Sequence, residues 1–241
     1  MAQPGGAHPP ATDVRASVTT IVFDVIGTVV DGGSIAEDLA SVLHPGVADA
    51  AARRREQAMD RRLEEIRDGR APWRSSEDVR REALPEALGD AGQLDPDRLE
   101  WLMNAGHRLR PWPDSSAALR VLGERFKLVA LSNASLAELA DLSARGRLAW
   151  HAVLSGALVE SYKPSAKVYE LAIRSLALEP SRTLMVAAHA WDLRAAASHG
   201  LRTAFVARPG ADHPRHEDHF DLHVDDLSAL ADRLTDAAAH E

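Results

Sequence analysis

Six short, nearly continuous apolar runs restrict what this chain can fold into more than any other feature. They lie at 18–23, 126–131, 152–154, 184–187, 201–206 and 220–224, each rich in Val, Ile, Leu or Phe and each followed by turn or polar residues. A strand that is apolar along its whole length is one buried on both faces, as in a parallel sheet covered by helices. Between the runs, helical patterns occupy 115–124, 135–145, 165–176, 192–199 and 226–238. The alternation predicts an α/β fold built on a doubly wound parallel sheet.

The segment 33–110 breaks that alternation. It carries almost no strand signal, and 36–43, 47–67, 76–88 and 95–108 read as successive amphipathic helices interrupted by HPG, DGRAPW and GDAGQLDP. An all-helical cap domain over 34–110, inserted into a core domain of 17–33 and 111–241, is the expected organisation. Residues 1–16 are expected to be a disordered tail. Pro111-Trp112-Pro113-Asp114 marks the return to the core, with Asp114 or Ser115 placed to cap the next helix. Met59, Leu63 and Ile66 are expected to pack the cap onto the sheet, and Trp73 and Trp112 fall at the junctions.

Composition narrows the partners. Of 241 residues 45% are hydrophobic and 27% charged, enough for a substantial core, and the formal charge of -8 argues against sequence-independent nucleic acid binding. A small-molecule partner fits better. With no cysteine, neither a disulfide nor a thiolate nucleophile enters. The opening MAQPGGAHPPATD has no apolar core and no later run approaches the length of a membrane span, so the expectation is a cytoplasmic protein without membrane contact.

In an open parallel sheet, ligands bind beyond the carboxyl ends of the strands. Those ends carry Asp24, then Ser132 and Asn133, then Lys163, then His189 and Asp192. Taken singly, each has an ordinary structural job: Asp24 and Ser132-Asn133 as turn caps, Lys163 as a solvated charge, Asp192 as the N-cap of a helix beginning at Leu193. Their joint placement on one edge points to a site.

FDVIGTVVD at 23–31, LSN at 131–133, YKPSAKVY at 162–169 and AWD at 190–192 resemble the four motifs of the haloacid dehalogenase superfamily, in order and spacing, across nearly the whole chain after Ala16. Within it, RRREQ at 53–57 followed by Pro72-Trp73 resembles the cap of the L-2-haloacid dehalogenases. The resemblance implies hydrolysis of short 2-halo acids without a cofactor or metal. Asp24 would attack C2, expel halide and form an aspartyl ester that water opens, with inversion at the substrate carbon. Phosphatases of the superfamily place a second Asp two residues after the nucleophile to protonate the leaving alkoxide, and a further acid at the fourth strand to hold magnesium. Here these positions are Ile26 and Ala188. A phosphohydrolase using Mg2+ is therefore the alternative, and a non-catalytic anion-binding or partner-binding homologue the third reading.

The resemblance also implies roles. Lys163 would keep Asp24 ionised against burial. Thr28 would bond Asp24 or the substrate, and Ser132 with the Asn133 amide would hold the substrate carboxylate and cradle halide. Tyr169 would join this network, while Asp192 would orient Lys163 and the hydrolytic water. Arg54, thirty positions after Asp24, would reach down from the cap to the halide or carboxylate, although Arg53, Arg55, Arg61 and Arg62 crowd the same helix with acidic partners. Ile26 stands where the dehalogenases have Tyr, and Ile26 and Trp73 are candidate pocket walls. His189 stands where they have Asn; it either acts on the hydrolytic water or is a packed histidine. Relatives of this kind imply a homodimer. His213, His216, His219 and His223 alternate with acids in a polar loop, but their spacing suits neither a helix nor a strand face, and no metal is assigned there.

Overall fold

A computed structural model describes residues 14–89 and 94–235. Its six strands are β1 (Thr20–Phe23), β2 (Lys127–Ser132), β3 (Ala152–Ser155), β4 (Thr183–Ala187), β5 (Arg202–Val206) and β6 (Leu222–Val224). They form one sheet in the order β3-β2-β1-β4-β5-β6, with every pairing parallel. The chain works outward from β1 to β3, then crosses back to lay β4 on the other side of β1. The topological switch point, where two outgoing connections leave a crevice, is thus at the carboxyl ends of β1 and β4. In register, Phe23 lies opposite both Ala130 and Val186, so the residue after Phe23 emerges between its neighbours' ends.

Alternate strand residues feed two cores. Ile21, Phe23, Leu128, Ala130, Leu184 and Val186 face one side, packed by α1 (Val14–Ser17), α6 (Ser115–Gly123), α7 (Leu136–Gly146) and α10 (Leu227–Thr235). Val22, Val129, Leu131, Met185 and Ala187 face the other, under α8 (Ala166–Ser175) and α9 (Ala190–Ser198). Burying each of the larger side chains stabilises the fold by roughly 1.5–3 kcal/mol, and burial on both faces is why the runs read as continuously apolar. Val14 is wholly buried in α1, so the expected tail ends no later than residue 13; residues 1–13 lie outside the described ones. The last three residues of the helix expected over 226–238 also lie outside them.

The insertion consists of α2 (Ser34–Val42), α3 (Pro45–Arg67), α4 (Ser76–Leu88), α5 (Pro96–Met103) and a 3-10 turn at Ala105–Arg108. Its helix starts are set locally: His44, Ser75 and Asp95 each accept a bond from a backbone N–H of the first turn, two of them just before a proline. It has its own apolar cluster of Leu39, Leu43, Leu84, Leu88 and Leu102, to which α3 contributes Ala48 and Ala51. Met59, Leu63 and Ile66, expected to pack the insertion onto the sheet, stay half-buried and belong neither to the two sheet cores nor to this cluster, and alanines form the closely packed stripe of α3.

Polar contacts join insertion to core. Arg80 and Glu138 form a buried pair at 2.5 Å, Ser76 donates to Glu138 at 2.9 Å, and the Tyr162 hydroxyl donates to the Arg74 carbonyl at 2.6 Å. Asp114 does not cap α6 with its side chain; its carboxylate accepts from Arg208 and from the Leu227 amide instead. Among the described residues no helix is long and apolar enough to cross a membrane.

Candidate active site

β1 ends at Phe23, and the next residue, Asp24, is held in place from three directions. Its Oδ1 accepts from Lys163 Nζ at 2.9 Å. Its Oδ2 accepts from Thr28 Oγ1 at 2.7 Å and lies 3.1 Å from His189 Nδ1. The Gly-Thr turn makes this possible. Gly27 takes φ +87°, and a Cβ there would come within 2.7 Å of the His189 ring, so both the backbone and the close approach require glycine. Thr28, fully buried, accepts from the Ala188 amide at 2.9 Å and so ties the turn after β1 to the end of β4.

Lys163 follows the 3-10 turn after β3. The Asn133 side chain holds its backbone, accepting from the Lys163 amide at 2.7 Å and donating to its carbonyl at 3.5 Å. Lys163 Nζ also reaches Asp192 Oδ2 at 2.6 Å, and Asp192 Oδ1 accepts from Tyr169 at 2.5 Å. Asp192 is not an N-cap: α9 begins at Ala190, three residues before the expected Leu193, and the carboxylate in its first turn is turned inward. The side chains of Asp24, Lys163 and Asp192 are 8%, 1% and 0% exposed. Charges this deep persist only in mutual compensation.

Burial would lift the Asp24 carboxyl, but the Lys163 ammonium and then the His189 contact hold it well below the usual carboxylate range. Burial pushes Asp192 up and outweighs the neighbouring ammonium, with the charge of Asp24 adding to the rise. Lys163 would lose its proton to burial alone; Asp192 first and Asp24 second keep it charged. Burial likewise opposes charge on His189, yet its bond to Asp24 and that residue's charge leave its pKa raised. Tyr169 is driven upward by burial beside Asp192, so it remains a donor.

Above the turn lies a cavity of about 780 Å3, lined from the core by Ile26, Gly27, Trp112 and His189, and from the insertion by Ile35, Leu39, Ala52, Arg53, Arg55 and Glu56. Arg54 is not brought to it. Its side chain is turned to α4, where Nε donates to the Ala87 carbonyl at 2.9 Å. At about 100° per residue, positions 52, 53, 55 and 56 share one arc of α3 and 54 falls opposite. Arg55 has no ion-pair partner among the described residues, and burial together with the neighbouring Arg80 cation brings its pKa down to about 10. It stays charged. The alanines at 48, 51 and 58 carry the signal missed in the sequence, since a buried 3-4-3 stripe passes through 55 rather than 54.

Trp73 does not line the cavity; its indole N–H is buried without a partner among the described residues. Trp112 is the junction tryptophan that does, while donating to the Gly27 carbonyl at 3.2 Å. Ser132 ends β2 buried, its hydroxyl accepting from the Ala134 amide. Arg208, unremarked in the sequence, donates to the Thr28 carbonyl at 3.1 Å and to Asp114 at 2.9 Å, bracing the turn from β5. His213 and His223 pack around Phe205, and among the described residues no group of three or more His, Asp or Glu is placed to hold a metal ion.

The family model described as haloacid dehalogenase-like hydrolase matches residues 18–200. The (S)-2-haloacid dehalogenase H-109 of Pseudomonas putida is 31% identical over 197 residues, which are 79% of this chain and 86% of that one. A crystal structure of an L-2-haloacid dehalogenase superposes with a TM-score of 0.81 at 35% identity, covering 90% of this chain and 98% of the other. The L-2-haloacid dehalogenase of Xanthobacter autotrophicus with chloropropionic acid covalently bound gives 0.78 at 26% identity, over 92% and 100%. With a parallel sheet whose switch point presents Asp24, Lys163 and Asp192 together, the chain belongs to the haloacid dehalogenase-like hydrolases.

Proposed function

We propose that this enzyme hydrolyses the carbon–halogen bond of short (S)-2-halo carboxylic acids through a covalent ester on Asp24, releasing halide and the 2-hydroxy acid of inverted configuration. One observation carries the reading. Every carboxylate oxygen of Asp24 and Asp192 already takes a protein N–H or O–H donor, from Lys163, Thr28, His189 or Tyr169. A phosphohydrolase would turn oxygens of several acids toward a divalent cation in octahedral array, and here both acids are turned to protein donors instead. The residues present do not fit magnesium, since Ala188 supplies a methyl where a third acid would stand. Ile26 cannot protonate an alkoxide, and a halide needs neither proton nor metal to leave.

The ionised oxygen of Asp24 attacks C2 in line, the C2–halogen bond breaks, and the electron pair leaves with halide. Lys163, at Oδ1, keeps the carboxylate anionic, and Thr28, at Oδ2, fixes its direction. Arg55, with Arg53, receives the substrate carboxylate or the departing halide from the insertion side, and Ser132 with the Asn133 backbone amide completes the anion site from the sheet side. Ile26, Ile35 and Trp112 offer the apolar wall for the alkyl substituent. In the same reading 17–33 with 111–241 is the catalytic core, 34–110 the cap over it, and the enzyme a homodimer, which sedimentation tests.

Incubation with each enantiomer of 2-chloropropionate should release chloride from the (S) form alone. One turnover in heavy-oxygen water should label the Asp24 carboxylate. Chelator-sensitive phosphate release from a phosphate monoester, with no halide from either enantiomer, would move the protein to the phosphohydrolases; neither activity would leave the non-catalytic reading.

A further inference from the structure

We infer that His189 is the base that opens the Asp24 ester, and that ester formation itself brings it into the basic state by removing the charge with which it is paired. This rests on the dehalogenation reading above and supplies the group for its second half.

The assignment follows first from access. The hydrolytic water must reach the carboxyl carbon of Asp24 from the cavity. Asp192 is fully buried with both oxygens engaged, Thr28 is fully buried, and Lys163 is an ammonium without a lone pair. Of the groups around Asp24, His189 alone lines the cavity, with its side chain 26% exposed. Its ring is fixed between the floor at Gly27, where a Cβ would come within 2.7 Å, and the Trp191 ring at 5.5 Å. Nδ1 sits 3.1 Å from a carboxylate oxygen, so it carries the proton in that contact, and Nε2 has no hydrogen bond among the described residues.

Charge supplies the timing. The groups acting on the ring are Asp24 from the end of β1, Asp192 from α9 and Lys163 from the loop after β3, while Arg53, Arg55, Glu56, Glu37 and Asp31 face it across the cavity. In the resting enzyme the Asp24 carboxylate, 3.1 Å from Nδ1, favours the protonated ring. Once Asp24 is esterified its negative charge has left with the halide, and the imidazolium faces Lys163 without its partner. It releases a proton to solvent. The neutral ring then takes a proton from water as the water oxygen bonds to the carboxyl carbon, and the resulting oxyanion, on the Asp24 oxygen that does not carry the substrate, keeps its own donor, Lys163 at Oδ1 or Thr28 at Oδ2. The bond from that carbon to the substrate oxygen breaks, and the imidazolium gives its proton to the alkoxide. Asp24 returns as an acid, ionises, and pairs with the ring again. One water is consumed per turnover, and one halide and one proton are released.

The test compares the two half-reactions in the intact protein, after wild type has been shown to release halide; if it releases none, the dehalogenation reading fails, not this one. His189→Gln and His189→Leu should give a full halide burst of one equivalent, then turnover slowed by about 10²–10⁴-fold, with the ester visible by intact-mass spectrometry. Loss of the burst in a folded variant, or steady turnover within about threefold of wild type, overturns the assignment. Should neither variant fold, rapid mixing of wild type decides. Ester decay should slow about tenfold per pH unit on the acid side of its midpoint, as a single protonation of the base requires, while the burst rate holds; parallel pH profiles for the two steps overturn it.

Discussion

On the sheet side of the site, Asp24, Lys163, Asp192 and Tyr169 immobilise one another, each polar atom answered by a partner within 2.9 Å. On the insertion side, Arg53 and Arg55 face the same crevice with no ion-pair partner among the described residues. The first region is organised before any substrate arrives, its geometry fixed by strand ends in register. The second holds cations that no carboxylate engages in an ion pair among the described residues, with Glu56 beside them on the wall. Preorganisation belongs where bonds are made and broken, and unmet charge where an anion is to be captured.

That contrast can be broken most sharply at the nucleophile. Asp24→Asn should lower kcat by about 10⁴-fold or more with the fold retained, measured as halide release beside a circular-dichroism melt; residual turnover near wild type would remove the covalent step. Lys163→Met should follow, because it leaves two buried acids facing each other. A loss of about 3–5 kcal/mol in urea unfolding is expected along with the activity, and an unchanged midpoint would mean that the ion triad is not what organises the core side.

On the insertion side, Arg55→Ala should raise KM by about 10–100-fold with kcat moved less, the signature of lost anion capture rather than lost chemistry. Gly27→Ala should cost about 1–3 kcal/mol, since its φ of +87° and its contact with His189 exclude a Cβ. Arg54→Ala should leave KM within about twofold and cost about 1 kcal/mol of stability for the bond to Ala87. If Arg54→Ala proves the more damaging to KM, the helix phase assigned to α3 is wrong.

The smallest effect expected is none. The Asp24 pKa is depressed in the folded protein, so its carboxylate persists well below neutrality and protonates only in strong acid. The halide burst should therefore stay flat as pH falls to about 5, where an unperturbed carboxyl, near about 3.9, would begin to titrate. An acid limb near neutrality in the burst itself would show that Lys163 does not set the charge of the nucleophile.

Much of the core was legible because its signals are local. Strand β2, expected over 126–131, forms at Lys127–Ser132, and the Gly-Thr turn after Asp24 announces a backbone that only glycine accepts. Helix α4, expected over 76–88, forms at Ser76–Leu88 between a serine cap and a terminal glycine. The misreadings share a cause. The resemblance implies Arg54 at the crevice, where the structure brings Arg53 and Arg55 instead, and one position along a helix turns a side chain by about 100°. Asp114 reads as a cap and is drawn away by Arg208 and the Leu227 amide, while Trp73 and Trp112 look equivalent until the cavity is seen.

By itself the sequence determined the parallel sheet, the helical insertion and the identity of the acids and the lysine at the strand ends. Those follow from hydrophobic period and turn chemistry, which act between residues a few positions apart. Tertiary structure alone decided which arginine faces the crevice, that Arg208 braces Thr28, and that His189 touches Asp24 across 165 positions of chain. Such contacts depend on helix phase and on the crossing of distant segments, and a charge gains its meaning only from the partner, or the lack of one, that folding sets beside it.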